Sequence, residues 1–339
     1  MAKPDQIATN ASIKRGLDFI YRVAGTTDGF DSYGSLLISC FALVAATSRA
    51  ANLRQLARSR AQKLAQRWRR VHPRVPTDVS ASLVLHFVFV RYALSRLGVR
   101  DAALNAQIRT AVKRFSAPDL LGFDPVREPP PDDLSYRCDC GARNLRGRTF
   151  CQQCRKRLQI KTRYRVWMEA LANTYVGGRC GVLFGARYTD VLKWLPLMRP
   201  YPAAGEDEEV VRDAIFAVTH LVYSLNDYNT YRLSPRSLPK EFAYLKANVE
   251  AACVNHDPEL LGELLDSLKA FGLRASHPLI MRGAEYLLAN QNEDGSWGDP
   301  DEEDIRTRCH TTWTATDGLR THAWRGKRTI PPEIRSILK

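Results

Sequence analysis

The sequence predicts an all-α chain interrupted once by a small four-cysteine ribbon. Three observations predict it. Apolar residues recur at helical spacing through most of the 339 residues, and no convincing strand alternation appears outside one insert. That insert, Cys138-Asp-Cys140-Gly and Cys151-Gln-Gln-Cys154, follows a proline-rich break. The two ends of the chain, 12–48 and 282–318, read as copies of one helix, Asp-Gly turn, helix unit.

In the first copy, Lys14-Arg15-Gly16-Leu17-Asp18-Phe19-Ile20 sits over Met281-Arg282-Gly283-Ala284-Glu285-Tyr286-Leu287. With a one-residue gap, Asp28-Gly29-Phe30 sits over Asp294-Gly295-Ser296-Trp297. Ala51 to His72 follows as a long basic helix. Val79 to Leu97 is apolar nearly all round and so predicts burial on most faces. Asp101 to Phe115 is a shorter helix. Ser116 to Arg137, with Pro118, Pro125 and Pro129-Pro130-Pro131, predicts a loop. Beyond the ribbon, helices over Arg163 to Tyr175 and Tyr188 to Met198 flank a turn at Gly177-Gly178. Glu206 to Tyr231 opens on four acids, which suit a helix N-terminus. Pro239 to Val254 comes next. Asp257-Pro258-Glu259 then supplies a cap, a first-turn proline and an acid to a helix that stops near Gly272. Roughly ten to twelve helices, alternately apolar and amphipathic, fit an α/α toroid with a buried inner ring. A hairpin repeated at both ends predicts that 12–48 and 282–324 lie side by side and close the circle. The predicted divisions are 1–125 for the first part of the toroid, 126–162 for the ribbon and 163–339 for the second part.

Two close thiolate pairs suit one tetrahedral zinc bound by Cys138, Cys140, Cys151 and Cys154, with Gly141 allowing the knuckle turn. The segment has too few apolar residues for these to be core cysteines.

Arg282, Gly283, Tyr286, Leu287, Gln291, Gly295 and Trp297 are spaced as in the QW repeat that the chain resembles, that of squalene and terpene cyclases. His310-Thr-Thr-Trp313 is similar to the helix start of protein prenyltransferase β-subunits, whose histidine binds the catalytic zinc. The resemblance implies a toroid, a metal-dependent reaction and a small or apolar substrate in a central cavity. His310 is expected in the first turn of that helix and is the one family ligand that carries over, with Asp304 weakly matched upstream. The family's Asp-x-Cys ligands have no counterpart outside the ribbon, so its zinc site does not carry over whole. Asp299-Pro-Asp-Glu302 departs from the Asp-x-Asp-Asp acid motif of class II cyclases and reads better as a solvated turn.

The residues themselves point the same way. His86-Phe-Val-Phe89, His220-Leu-Val-Tyr223 and His310-Thr-Thr-Trp313 share one local pattern, and Asp227 and Asp317 each follow a histidine by seven residues. On a continuous helix that spacing returns to one face, and such a stripe is costly to bury unused. The expectation is a second ion, zinc or iron, held by His220 and His310 with His86 or a carboxylate. Asp227, Asp317 and Tyr223 are the catalytic candidates. Against it stands the common case of a lone helical histidine that simply bonds in the core. Cys309, a third of a turn from His310, reads as core.

The net charge of +14 favours acidic partners. Basic residues gather at 51–74 and from Arg143 to Arg165, where no acid intervenes. These stretches read as a solvated basic face or as a surface for nucleic acid or an acidic carrier protein, with Phe150, Tyr164 and Trp167 the residues near enough for base stacking. The eight cysteines do not suggest a disulfide framework. No apolar run is long enough to span a bilayer and Met1 to Asn10 is polar, so a cytoplasmic location is expected. A non-catalytic zinc-ribbon protein is the alternative to the enzyme.

Overall fold

The structure is a computed structural model. It describes every residue except 1–5, 132–137, 139, 141, 143, 146–147, 149, 156–157, 159–160 and 204, and the side chains of Asp28, Asp31 and Ser32. Its helices are α1 (Gln6–Gly25), α2 (Thr27–Thr47), α3 (Ala51–Val71), α4 (Ala81–Arg96), α5 (Ala102–Val112), α6 (Ala117–Leu121), α7 (Arg163–Arg179), α8 (Tyr188–Leu192), α9 (Leu195–Met198), α10 (Glu208–Leu225), α11 (Pro239–Ala247), α12 (Val249–Val254), α13 (Pro258–Ala270), α14 (Pro278–Ala289), α15 (Ile305–Leu319) and α16 (Pro332–Leu338). Among the described residues there is no strand; isolated bridges join Ser48 to His322 and Arg232 to Lys327. No described helix is long and apolar enough to cross a membrane.

The chain divides into two compact units. The first comprises 1–73, 93–100 and 222–331; the second comprises 74–92, 101–221 and 332–339.

In the first unit, α1 and α2 form a hairpin separated by Thr26 alone, whose hydroxyl accepts from Gly29 N and donates to Val23 O. Asp28-Gly29 therefore falls in the first turn of α2, not in a loop as expected. In the C-terminal copy Asp294-Gly295 does form the turn, with Gly295 at φ +91°, a conformation that favours glycine. The two ends pack side by side, as the repeat predicts. Trp297 and Thr316 occupy the space over Gly16, and Gln291 Nε2 donates to Ser12 O at 2.9 Å. Ala323 N donates to Thr47 O at 2.7 Å, and Arg320 donates to Thr47 Oγ1 at 2.8 Å. Trp297 also closes its own repeat: it is fully buried, and its indole N–H donates to Leu287 O at the end of α14 (2.7 Å).

The basic helix α3 is not a free cationic face. Arg54 donates to Ser48 O and Arg49 O beyond the end of α2, Arg67 to Ala24 O at the end of α1, and Arg58 to Leu97 O beyond the end of α4. One helix thus places three guanidinium groups on three helix C-termini, where unpaired carbonyls and the helix dipole favour positive charge. Arg60 pairs with Asp18 and lies over the Tyr21 ring.

Helices α13 and α15 of this unit approach closely. A Cβ on Gly262 would lie 2.4 Å from the Thr314 carbonyl, and one on Gly318 would lie 2.8 Å from Gly262 Cα. Only glycines permit that approach.

In the second unit, Asp101 caps α5 and Thr162 caps α7. Asp213 of α10 accepts from Thr162 Oγ1 and Arg165 Nε, and the buried Trp167 indole donates to Val191 O. Helix α7 runs through Gly177-Gly178 to Arg179, past the expected turn. Gly177 is needed because Phe184 and Val182 O press against it, and the chain turns instead at Gly181, φ +67°. Pro196 sits in the first turn of α9, and the expected single helix over 188–198 is two short ones. The ribbon belongs to this unit.

Candidate functional site

The four ribbon sulfurs converge. Cys138 Sγ lies 3.5 Å from Cys154 Sγ, Cys140 Sγ lies 3.6 Å from Cys151 Sγ, and all four are within 4.8 Å of one another. A tetrahedral ion with metal–sulfur bonds of about 2.3 Å needs sulfur separations of about 3.8 Å. A disulfide would need about 2.05 Å, and all four cysteines are free thiols. Local backbone builds the cluster. Cys138 N donates to Ala142 O, Arg155 N donates to Cys151 O, and Arg155 takes φ +62° to close the second knuckle. Asn144 is buried between the knuckles; its amide reaches Cys151 Sγ at 3.7 Å and its Oδ1 accepts from Gln152 N. Backbone N–H groups of Cys154 and Gln153, with that amide, favour the Cys151 thiolate and bring it down to about 6. The apolar content is slight: Leu158 is buried against Cys138 and Cys151, with Ala142 and Cys154 at the edge. So small a core does not hold a fold by itself. Gly141 lies outside the described residues.

Among the described residues this is the one group of three or more histidine, cysteine or acidic side chains with ligand atoms close enough to hold an ion. His310 lies in the first unit, His86 and His220 in the second. His220 Nδ1 meets Phe216 O, one turn back on its own helix, at 2.9 Å. His86 is half-buried on α4.

Helix α10 ends at Leu225, so Asp227 does not continue the helix of His220 and the expected shared face is lost. Asp227, Tyr228 and Asn229 take φ of 57°, 45° and 64°, a left-handed run that side chains must hold. Asn226 and Asn229 bond one another, and Arg96 donates to Asp227 (3.1 Å) and Thr230 (2.7 Å). Asp227 is thereby a structural anchor of this turn.

His310 stands in the second turn of α15, not the first, because Asp304 caps the helix through Arg306 N and Thr307 Oγ1. The acids Asp299, Asp301, Glu302 and Glu303 are exposed, a solvated loop. Cys309 is buried core.

Around His310 the burial pattern is informative. From Cys309 to Leu319, α15 is buried on every side except His310, Trp313 and Asp317. From Pro258 to Ala270, α13 is buried except at Glu259 and Lys269. Tyr223, at the end of α10, is likewise half-exposed among buried neighbours. His310 Nδ1 lies 2.6 Å from Glu259 Oε1. Asp317 accepts from the Trp313 indole at 2.9 Å and pairs with Arg320. Tyr223 stacks on Tyr228, and burial, Glu263, Asp266 and Asp317 raise its hydroxyl well above the ordinary range. Burial also raises Asp317, against the pull of Arg320. Glu259, Glu263 and Asp266, four and three residues apart on α13, were legible as an acidic stripe, but Glu259 reads first as a helix-opening acid.

Below this stripe lies a buried pair. His322 Nε2 is 3.0 Å from Asp266 Oδ1, and both side chains are fully buried. Asp266 also accepts from Asn229 Nδ2 at 2.5 Å, which ties it to the left-handed turn. Lys269 donates to the carbonyls of Asp317, Gly318 and Arg320 at the end of α15. Burial and Arg320 hold His322 neutral, well below its ordinary value. The unfolded chain binds this proton below the usual histidine range and the folded chain does not, so stability falls as pH drops through that range. Urea midpoints at pH 7.5 and pH 5 should show this loss, and His322→Gln should flatten it.

No family model matches the chain, and no curated protein or solved structure is similar to it.

Proposed function

We propose that the chain is a zinc-ribbon protein that engages single-stranded nucleic acid through the ribbon. Zinc is the ion that suits four thiolates at tetrahedral spacing in a segment with almost no core. The observation that carries the partner is Phe150, 57% exposed between the two cysteine pairs, with Arg148 and Arg155 exposed nearby in sequence. Exposed aromatic and guanidinium groups serve base stacking and phosphate contact. The structure narrows the expected surface. Tyr164 and Trp167 are buried, Lys161 pairs with Glu169 and Arg165 with Asp213, and Arg54, Arg58 and Arg67 of α3 reach helix C-termini. Titrating labelled oligothymidylate should give binding that weakens steeply with salt. Phe150→Ala should weaken it by about 1–3 kcal/mol, the usual worth of a stacked base. Absence of binding at low salt, or equal binding by Phe150→Ala and a Cys151→Ser chain, overturns the reading. Preference for an acidic peptide would assign the surface to a protein instead.

A toroid built of helical hairpins belongs to the same proposal. Its support is the side-by-side packing of 12–48 and 282–324 and the burial of most of α13 and of α15 from Cys309 onward. A second reading, an enzyme acting on a small molecule, is favoured by one observation: within the buried stretches 258–270 and 309–319 the residues that reach solvent are Glu259, Lys269, His310, Trp313 and Asp317, and Tyr223 is half-exposed among buried neighbours. The histidine-held second ion remains an expectation of that reading. Elemental analysis tests it: two ions per chain, one lost in His310→Ala and the other in Cys151→Ser, would establish it.

A further inference from the structure

We propose that Glu259 and His310 form a proton-transfer pair for a small uncharged or cationic substrate that packs against Trp313. The inference rests on the enzyme reading but needs no metal. Glu259 Oε1 takes Nδ1–H of His310 at 2.6 Å, which fixes the tautomer with Nε2 unprotonated. The His310 side chain is 31% exposed and Glu259 17%, so the carboxylate sits deeper than the ring it orients. Among the described residues no protein group meets Nε2, and Trp313 stands edge-on to the ring at 6.0 Å between centroids. This is the arrangement a general base needs: one ring nitrogen held by a buried acceptor, the other open.

In the step, His310 Nε2 takes one proton from a substrate O–H, N–H or acidified C–H. The bond's electron pair stays on the substrate, and Glu259 stabilises the imidazolium through Nδ1–H. The same proton returns to the product or leaves to solvent, so no other reactant is required. Several charged groups act on the ring. Glu259 and Glu263 of α13 raise its affinity for a proton, while burial and Arg306 of α15 oppose them, with a net rise. Beside the ring the two carboxylates Glu259 and Glu263 outnumber Arg306 and so disfavour an anion, and the half-exposed Trp313 ring beside His310 suits an apolar or cationic group.

The test uses the intact, zinc-loaded chain and diethyl pyrocarbonate, which acylates neutral imidazole. Peptide mapping follows each histidine separately. His310 should be labelled at Nε2, with a pH profile shifted upward from that of an ordinary exposed histidine. Glu259→Gln should move that profile down, making labelling at acidic pH several-fold faster, and Glu259→Asp should restore part of the shift. A merely structural histidine would not change its profile this way. Benzylamine or benzyl alcohol should slow labelling of His310, and benzoate should not. An unreactive His310, or a profile indifferent to Glu259→Gln, overturns the pair. Protection by benzoate equal to that by benzylamine, or by neither compound, overturns the substrate class. If Glu259→Gln does not fold, the His310 ring proton resonance in the unaltered chain decides: titration at or below the ordinary histidine range refutes the pair. A working pair without any turnover would leave it standing and sink the enzyme reading instead.

Discussion

Cys151→Ser is expected to take the metal content from one ion per chain to none and to unfold the ribbon while the helical signal changes little. Cys151 is the most enclosed of the four ligands, with Asn144 and the backbone of the second knuckle arranged around its sulfur. The ribbon's remaining support is Leu158 and Ala142, too little to offset the entropy of ordering the segment. Metal binding and folding should therefore be one event, lost together on chelation. Elemental analysis and limited proteolysis read it directly. Cleavage should become rapid within 138–158 while the flanking helices resist. Retention of the ion by the serine variant, or a ribbon that stays protease-resistant after chelation, would refute a metal-organised fold. The helices should survive because their packing has its own anchors: the buried Trp167 indole donates to Val191 O and the buried Trp297 indole to Leu287 O, while the described ribbon cluster consists of Cys138, Cys151 and Leu158 with Ala142 and Cys154 at its edge.

Trp297→Ala should destabilise the first unit by about 3–5 kcal/mol, the range for deleting a large buried aromatic. The indole is fully buried, lies over Gly16 and donates to Leu287 O. Its loss empties the space between the two terminal copies and leaves a carbonyl unpaired. Trp297→Phe should recover part of the loss, since the ring is restored but not the N–H. Equilibrium urea unfolding of the three chains separates the two contributions. A loss below about 1 kcal/mol would mean that the copies are not joined through this residue.

Much of this protein is written locally. Asp257-Pro258-Glu259 announces a helix start, and Asp257 does cap α13 through Leu260 N. The cysteine spacing foretells a four-cysteine cluster compatible with a metal ion, because a few residues between thiols permit only a few geometries. The Trp297 position follows from the repeat, since a turn after a helix returns its next large side chain to the helix end.

What the tertiary structure alone decides is who partners whom. The α3 arginines look like a solvated basic face because sequence carries no record of the carbonyls at Ala24, Ser48 and Leu97 that they reach. Asp227 looks like the helical partner of His220 because the apolar period runs on past Leu225. The break there is held by local bonds between Asn226 and Asn229 and, from other helices, by Arg96 and Asp266. The link between Glu259 and His310 is hidden for the same reason. The sequence by itself determined the helices, the four-cysteine cluster and the pairing of the chain's two ends, because each rests on short-range spacing or on two similar segments. The approach of α13 to α15 at Gly262 and Gly318, and with it the union of Glu259 and His310, belongs to the tertiary structure, because charges fifty-one residues apart meet only when helices pack.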